Sequence, residues 1–176
     1  MDTFVEQIVK KKKGGREYAV IFGSIVGAIL LLLVLFLFAF QFIGGLFLFL
    51  VAGAGYGVWW LCTTQNIEFE YSVTNGDIDI DQIIAQRKRK RIVSVSGEKI
   101  ETMAPYKPED YVGRKFDRMV IAAPSTAEQG LWCFTYHSKK SGSTLVIFQP
   151  EERVLKSLVS GLQRLLQLEI KRNYLQ

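Results

Sequence analysis

Hydrophobic and polar positions divide the chain into three stretches of different period. No Asp, Glu, Lys or Arg occurs from Tyr18 to Ile67, a run of 50 residues. As one helix it would extend about 75 Å, against a bilayer core of about 30 Å that takes roughly 20 residues per crossing. The run is therefore too long for one crossing and suits two. Gln41, its only strongly polar side chain near the middle, and Gly44-Gly45 mark the expected break. The predicted spans are about Val20–Phe40 and Gly45–Cys62, both helical because backbone groups in lipid must bond internally. A cleaved leader would carry an apolar stretch of only about 7–15 residues ending at small residues. Ala28 to Leu50 continues without such a site.

Ahead of the run, Phe4, Val5, Ile8 and Val9 share one face of a helical wheel, and Lys10–Lys13 follow. This predicts either a short interfacial helix ending in a basic patch or a frayed tail whose lysines set orientation. Behind the run the period falls to two. Ile67, Phe69, Tyr71 and Val73 alternate with polar residues, and Asn75-Gly76 is a strong hairpin signal. Ile78 and Ile80 then alternate with Asp77, Asp79 and Asp81. Further strands are expected at 91–96, 99–103, 118–123, 131–137 and 144–149, seven in all. After Pro150 the period returns to that of a helix. Val154, Leu155, Leu158, Val159, Leu162, Leu165, Leu166 and Ile170 form one apolar stripe that requires a partner surface.

The expected organisation is thus a basic amphipathic segment (1–17), a two-helix transmembrane hairpin (18–65) and an α+β domain (66–176). The last would be a sandwich or barrel of about seven strands closed by one C-terminal amphipathic helix. This element order resembles the pleckstrin-homology-like (PH-like) fold. The wider layout is similar to small two-span membrane proteins of unknown function from clostridial-type Gram-positive bacteria. That likeness rests on Asp2–Gln7 running into Lys10–Lys13, the two spans, and Thr74–Asp81 before Arg87–Arg91. The PH-like resemblance implies a basic strand-connecting loop that meets phosphorylated headgroups, and it carries no activity over.

Charge adds orientation. Lys10, Lys11, Lys12, Lys13 and Arg16 precede the first span, while the turn between spans is uncharged. The positive-inside rule then puts both termini in the cytoplasm of a cell-membrane protein, with Tyr18, Tyr56, Trp59 and Trp60 at the interface. Gly23 with Gly27 and Gly53 with Gly57 are small-xxx-small pairs, fitted to packing within the hairpin or to a homo-oligomer. The spans hold no ionisable residue, which argues against an ion path or transporter site.

Arg87, Lys88, Arg89, Lys90 and Arg91 have two readings. One is a patch that contacts anionic lipid or a partner, together with Lys10–Lys13. The other is a solvated ladder in which a turn near Ile84 sets Asp81 against Arg87, Asp79 against Arg89 and Asp77 against Arg91. A net charge of +5 without aromatics on the basic face does not suggest nucleic acid. Asp77-x-Asp79-x-Asp81 lacks the Gly and the closing Glu of a calcium loop. His137 and the two cysteines, Cys62 and Cys133, have no zinc spacing, and no nucleophile–base pair or phosphate loop is present, so neither cofactor nor enzyme is expected. The expected role is a non-catalytic scaffold binding a protein partner, with anionic-lipid sensing as the alternative.

Overall fold

The computed structural model describes residues 3–43, 46–139 and 141–174, and the Gly44-Gly45 break lies outside them. The chain forms two compact units, residues 12–67 and residues 1–11 with 68–176.

The first unit is a pair of helices, α1 (Gly15–Ile43) and α2 (Phe47–Thr64). Segments Gly15–Leu37 and Phe47–Thr64, of mean hydropathy 3.0 and 1.4, are long and apolar enough to cross a membrane. Helix α1 begins before and ends after the span expected at Val20–Phe40, whereas α2 is displaced by two residues from the span expected at Gly45–Cys62. The Glu17 carboxylate accepts the Gly14 N–H at 3.0 Å, which starts α1 earlier than hydropathy alone suggests. Half-buried positions on α1 fall at Ile21, Ser24, Ala28, Leu32 and Leu35, the spacing of one helical face. Ala28, not Gly27, is on that face. A methyl group built on Gly23, Gly27, Gly53 or Gly57 would meet nothing within 4 Å. The Phe36–Phe47 ring contact at 5.8 Å joins the two helices.

The second unit contains the seven expected strands and one more. Residues 4–10 are neither helix nor frayed tail but strand β1 (Phe4–Lys10), paired antiparallel with β2 (Ile67–Thr74) from Phe4↔Thr74 to Lys10↔Glu68. Val5, Ile8 and Val9 are β-branched and suit a pleated surface. The helical wheel misled because the most buried position of β1 is polar. Gln7 is 8% exposed. It donates to the Gln149 carbonyl at 3.0 Å and accepts the Glu151 N–H at 2.7 Å. Both elements β1 and β2 belong to one sheet, so the helical hairpin is inserted in the connection between its first two strands.

That sheet continues through the Asn75-Gly76 turn to β3 (Asp77–Ile84) and β4 (Lys88–Val95), in the order β1-β2-β3-β4. The second sheet comprises β5 (Ile100–Pro105), β6 (Arg118–Ala122), β7 (Trp132–Ser138) and β8 (Gly142–Phe148). Its order is β5-β7-β8-β6, with β6 parallel to β8 and the other pairs antiparallel. Both sheets are open, so the expected seven-stranded barrel is corrected to two four-stranded sheets.

The core lies between them. Phe148 meets Tyr71 and Phe134 edge-on at 5.7 and 5.4 Å. The Tyr71 hydroxyl donates to the Ala122 carbonyl and accepts the Gln149 N–H, and burial pushes its pKa up. Cys133 is on the other face of β7, where it packs with Leu145 and Ile147 beneath Tyr106, Tyr111 and Phe116.

The expected single closing helix is two, α3 (Glu152–Ser160) and α4 (Arg164–Tyr174). Val154, Leu155, Leu158, Val159, Leu162 and Ile170 are buried, whereas Leu165 is 84% exposed. The break follows from crowding. A Cβ on Gly161 would stand 2.4 Å from the Gly76 Cα, and one on Gly97 would stand 2.6 Å from the Gly161 carbonyl oxygen. Three glycines therefore let the β2–β3 turn, the segment after β4 and the α3–α4 bend meet backbone to backbone.

Candidate functional site: the basic end of the first sheet

The pairing of strands decides which basic residues share an end. Lys10 pairs with Glu68 at the start of β2, and Ile84 at the end of β3 pairs with Lys88 at the start of β4. Lys10 and Lys11 and the Arg87–Lys90 tip thus stand at one end of a sheet roughly 14 Å across at ~4.8 Å per strand. It is also the end at which the chain leaves β1 and returns into β2. Lys12 and Lys13 carry the chain on into the helical unit. The sequence separates these clusters by more than 70 residues and gives no hint that one sheet end joins them.

The β3–β4 turn reaches this geometry with non-glycine residues at positive φ, Ala85 at 54° and Gln86 at 56°, closed by the Arg87 N–H donating to the Ile84 carbonyl at 3.1 Å. This tight turn, together with a bulge where the register shifts at Ile80/Asp81, moves the expected charge ladder. Asp81 opposes Arg91, not Arg87. Arg91 reaches Asp81 at 2.9 Å and Asp79 at 3.0 Å, which together hold its guanidinium more firmly protonated. Arg89 pairs with Glu70 on β2. Glu70 is 4% exposed, and burial pushes its pKa above the usual carboxylate range, with Arg89 opposing and Glu6 and Asp81 adding to the rise. Asp77 faces no arginine: it accepts from the Ser96 hydroxyl at 2.7 Å and the Gly97 N–H at 3.2 Å.

The five-residue run is therefore divided. Arg89 and Arg91 are neutralised on the outer face by buried or half-buried carboxylates. Lys88 and Lys90 alternate away from them, are exposed, and make no ion pair among the described residues. Arg87, Lys88 and Arg89 border a shallow depression of about 250 Å³ with Glu68, Ile83 and Gln86. Lys10 touches Glu68 at 3.7 Å through an exposed ammonium group. No group of three His, Cys, Asp or Glu side chains among the described residues is disposed to hold a metal ion.

Two packed sheets, a helix against them and a basic strand-connecting tip define a PH-like domain. The chain belongs to the family described as bacterial PH-like domain (DUF6106), whose model matches residues 1–166. The match begins ahead of β1, so the inserted hairpin is within the family unit. No curated protein and no solved structure matches the chain.

Proposed function

We propose that the protein is a membrane-anchored, non-catalytic PH-like module whose basic sheet end binds anionic lipid headgroups. The observation that carries this reading is the convergence of Lys10, Lys11 and the Arg87–Lys90 tip on the sheet end from which the apolar hairpin departs and to which it returns. Lys88 and Lys90, which make no ion pair among the described residues, have their charge available to a lipid phosphate. The same connectivity supports a cytoplasmic domain in the cell membrane. Pairing of β1 with β2 requires an even number of crossings between them, and the lysines before α1 favour the cytoplasmic side. The protein-partner scaffold expected from sequence is the reading that remains if the lipid one fails.

The test uses the full chain in nanodiscs of neutral or partly anionic lipid, with amide exchange followed over residues 84–90. Lys88 and Lys90 at about 1 kcal/mol each would slow exchange of the tip roughly thirtyfold on anionic discs. High salt, or Lys88→Gln with Lys90→Gln, should abolish the difference. Equal exchange on both lipids would make the tip a solvated turn and send the search to protein partners.

A further inference from the structure

At the opposite end of the first sheet from the basic tip, a cleft of about 960 Å³ opens beside β3 and β4. That volume suits an organic molecule rather than a lone ion. One wall presents Asp77 and Asp79 of β3. The other presents His137 and Lys139 from the end of β7 and its turn, with Lys99 brought alongside by the Ile100↔Tyr136 pairing. Ser94 of β4, opposite Asp79 in the register, adds a hydroxyl to the lining.

The two walls carry opposite charge, yet no ion pair joins them among the described residues. Among the described residues each carboxylate is engaged through one oxygen. Asp77 uses Oδ1 for Ser96 and Gly97, and Asp79 uses Oδ2 for Arg91. Lys99, His137 and Lys139 have no carboxylate partner among the described residues. A simple anion in this cleft would leave two carboxylates facing it, and a simple cation would face the lysines. A ligand bearing both charges satisfies both walls.

We infer that the cleft between Asp77/Asp79 and Lys99/His137/Lys139 binds a small zwitterion of amino-acid or dipeptide size, its ammonium toward the aspartates and its carboxylate toward the lysines. Recognition is by charge-assisted hydrogen bonds at both ends.

The chain has one histidine, so its ring C2–H resonance reports on the cleft directly. The full chain in detergent micelles is titrated with glycylglycine and with free lysine, and then with N-acetylglycine, which lacks the ammonium, and glycinamide, which lacks the carboxylate. A saturable His137 shift is expected with at least one zwitterion and with neither single-charge control over the same range. Asp77→Asn keeps the acceptor for Ser96 and Gly97 but removes the charge, and should weaken binding about tenfold, as loss of one charged hydrogen bond implies. Lys139→Gln, in an exposed turn, should do the same without risk to folding. Lys88→Gln with Lys90→Gln should leave the titration unchanged, which separates this site from the lipid-binding end. Saturation by N-acetylglycine alone, absence of saturation with either zwitterion, or indifference to both Asp77→Asn and Lys139→Gln would overturn the inference.

Discussion

Replacing Gln7 with Ala tests whether β1 is structural or an appendage. The side chain is nearly excluded from solvent and makes two hydrogen bonds to backbone, to the Gln149 carbonyl at 3.0 Å and from the Glu151 N–H at 2.7 Å. Ala would orphan one acceptor and one donor where β8 passes into α3. At about 1–3 kcal/mol for each unsatisfied buried group, with partial access of water, the loss should be about 2–4 kcal/mol. That is a large part of the roughly 5–15 kcal/mol that holds a domain folded. The assay is amide exchange of the full chain in detergent, read at β2, β8 and the first turn of α3, with urea pulse proteolysis as a second measure. Protection should fall at all three elements, although only β2 pairs with β1. Gln7→Glu sharpens the test. As a carboxylate it cannot donate to Gln149, but when protonated it can. Its folded pKa would be raised by burial, so the variant should regain stability as pH falls through that value and lose it as pH rises. A change below about 0.5 kcal/mol in Gln7→Ala, the range of ordinary surface substitutions, or a loss confined to β2, would refute the view that Gln7 ties the first strand to the closing helix.

Gly161→Ala should destabilise the domain by about 3 kcal/mol, the upper end of overpacking costs, because its Cβ would meet the Gly76 Cα at 2.4 Å, whereas Gly53→Ala should leave the helical hairpin intact; urea midpoints and helical circular dichroism measure the two. Arg89→Gln should cost about 1–2 kcal/mol at neutral pH, since the partly exposed guanidinium is screened by solvent while Glu70 is left buried and charged. Because the folded pKa of Glu70 is raised, its penalty is absent below the ordinary carboxylate range and grows as pH rises through the folded value, so the Arg89→Gln defect should shrink on acidification and vanish in combination with Glu70→Gln. A fragment of residues 66–176 lacks β1 and should fold less stably than the same fragment with residues 3–11 joined to Asn66 by a flexible linker, as thermal unfolding would show.

What could be read from the sequence was whatever repeats along it. Ile67 to Val73 alternates without interruption, and Asn75-Gly76 can adopt the positive φ that a two-residue turn demands, so β2 and β3 were plain. The apolar run declared itself by length. β1 was hidden because its inward positions are Val5, Gln7 and Val9, and a buried glutamine breaks the hydrophobic alternation that marks a strand. Its partner is also across the whole hairpin, beyond the reach of any local pattern. The α3–α4 bend was hidden because Gly161 is required by Gly76 and Gly97, far away in sequence. In the basic run, charge and its acidic partners were visible, but one bulge at Ile80/Asp81 and a turn built on Ala85-Gln86 moved every pairing. The split between neutralised arginines and available lysines depends on that register.

The inserted hairpin also sets a timetable. During synthesis β1 emerges first, and 57 residues, Lys11 to Ile67, follow before the strand pairs at Glu68. At about 5–20 residues per second the wait for its partner lasts roughly 3–11 seconds. For that interval the seven residues of β1 have no partner strand, and their backbone N–H and C=O groups are open to pairing with another chain. Glu6 and Lys10 within β1, and Lys11 to Lys13 directly after, keep charge on a segment that would otherwise invite pairing with a neighbouring chain. The sheet can then close only after both helices have been made, so a folded domain certifies a completed hairpin.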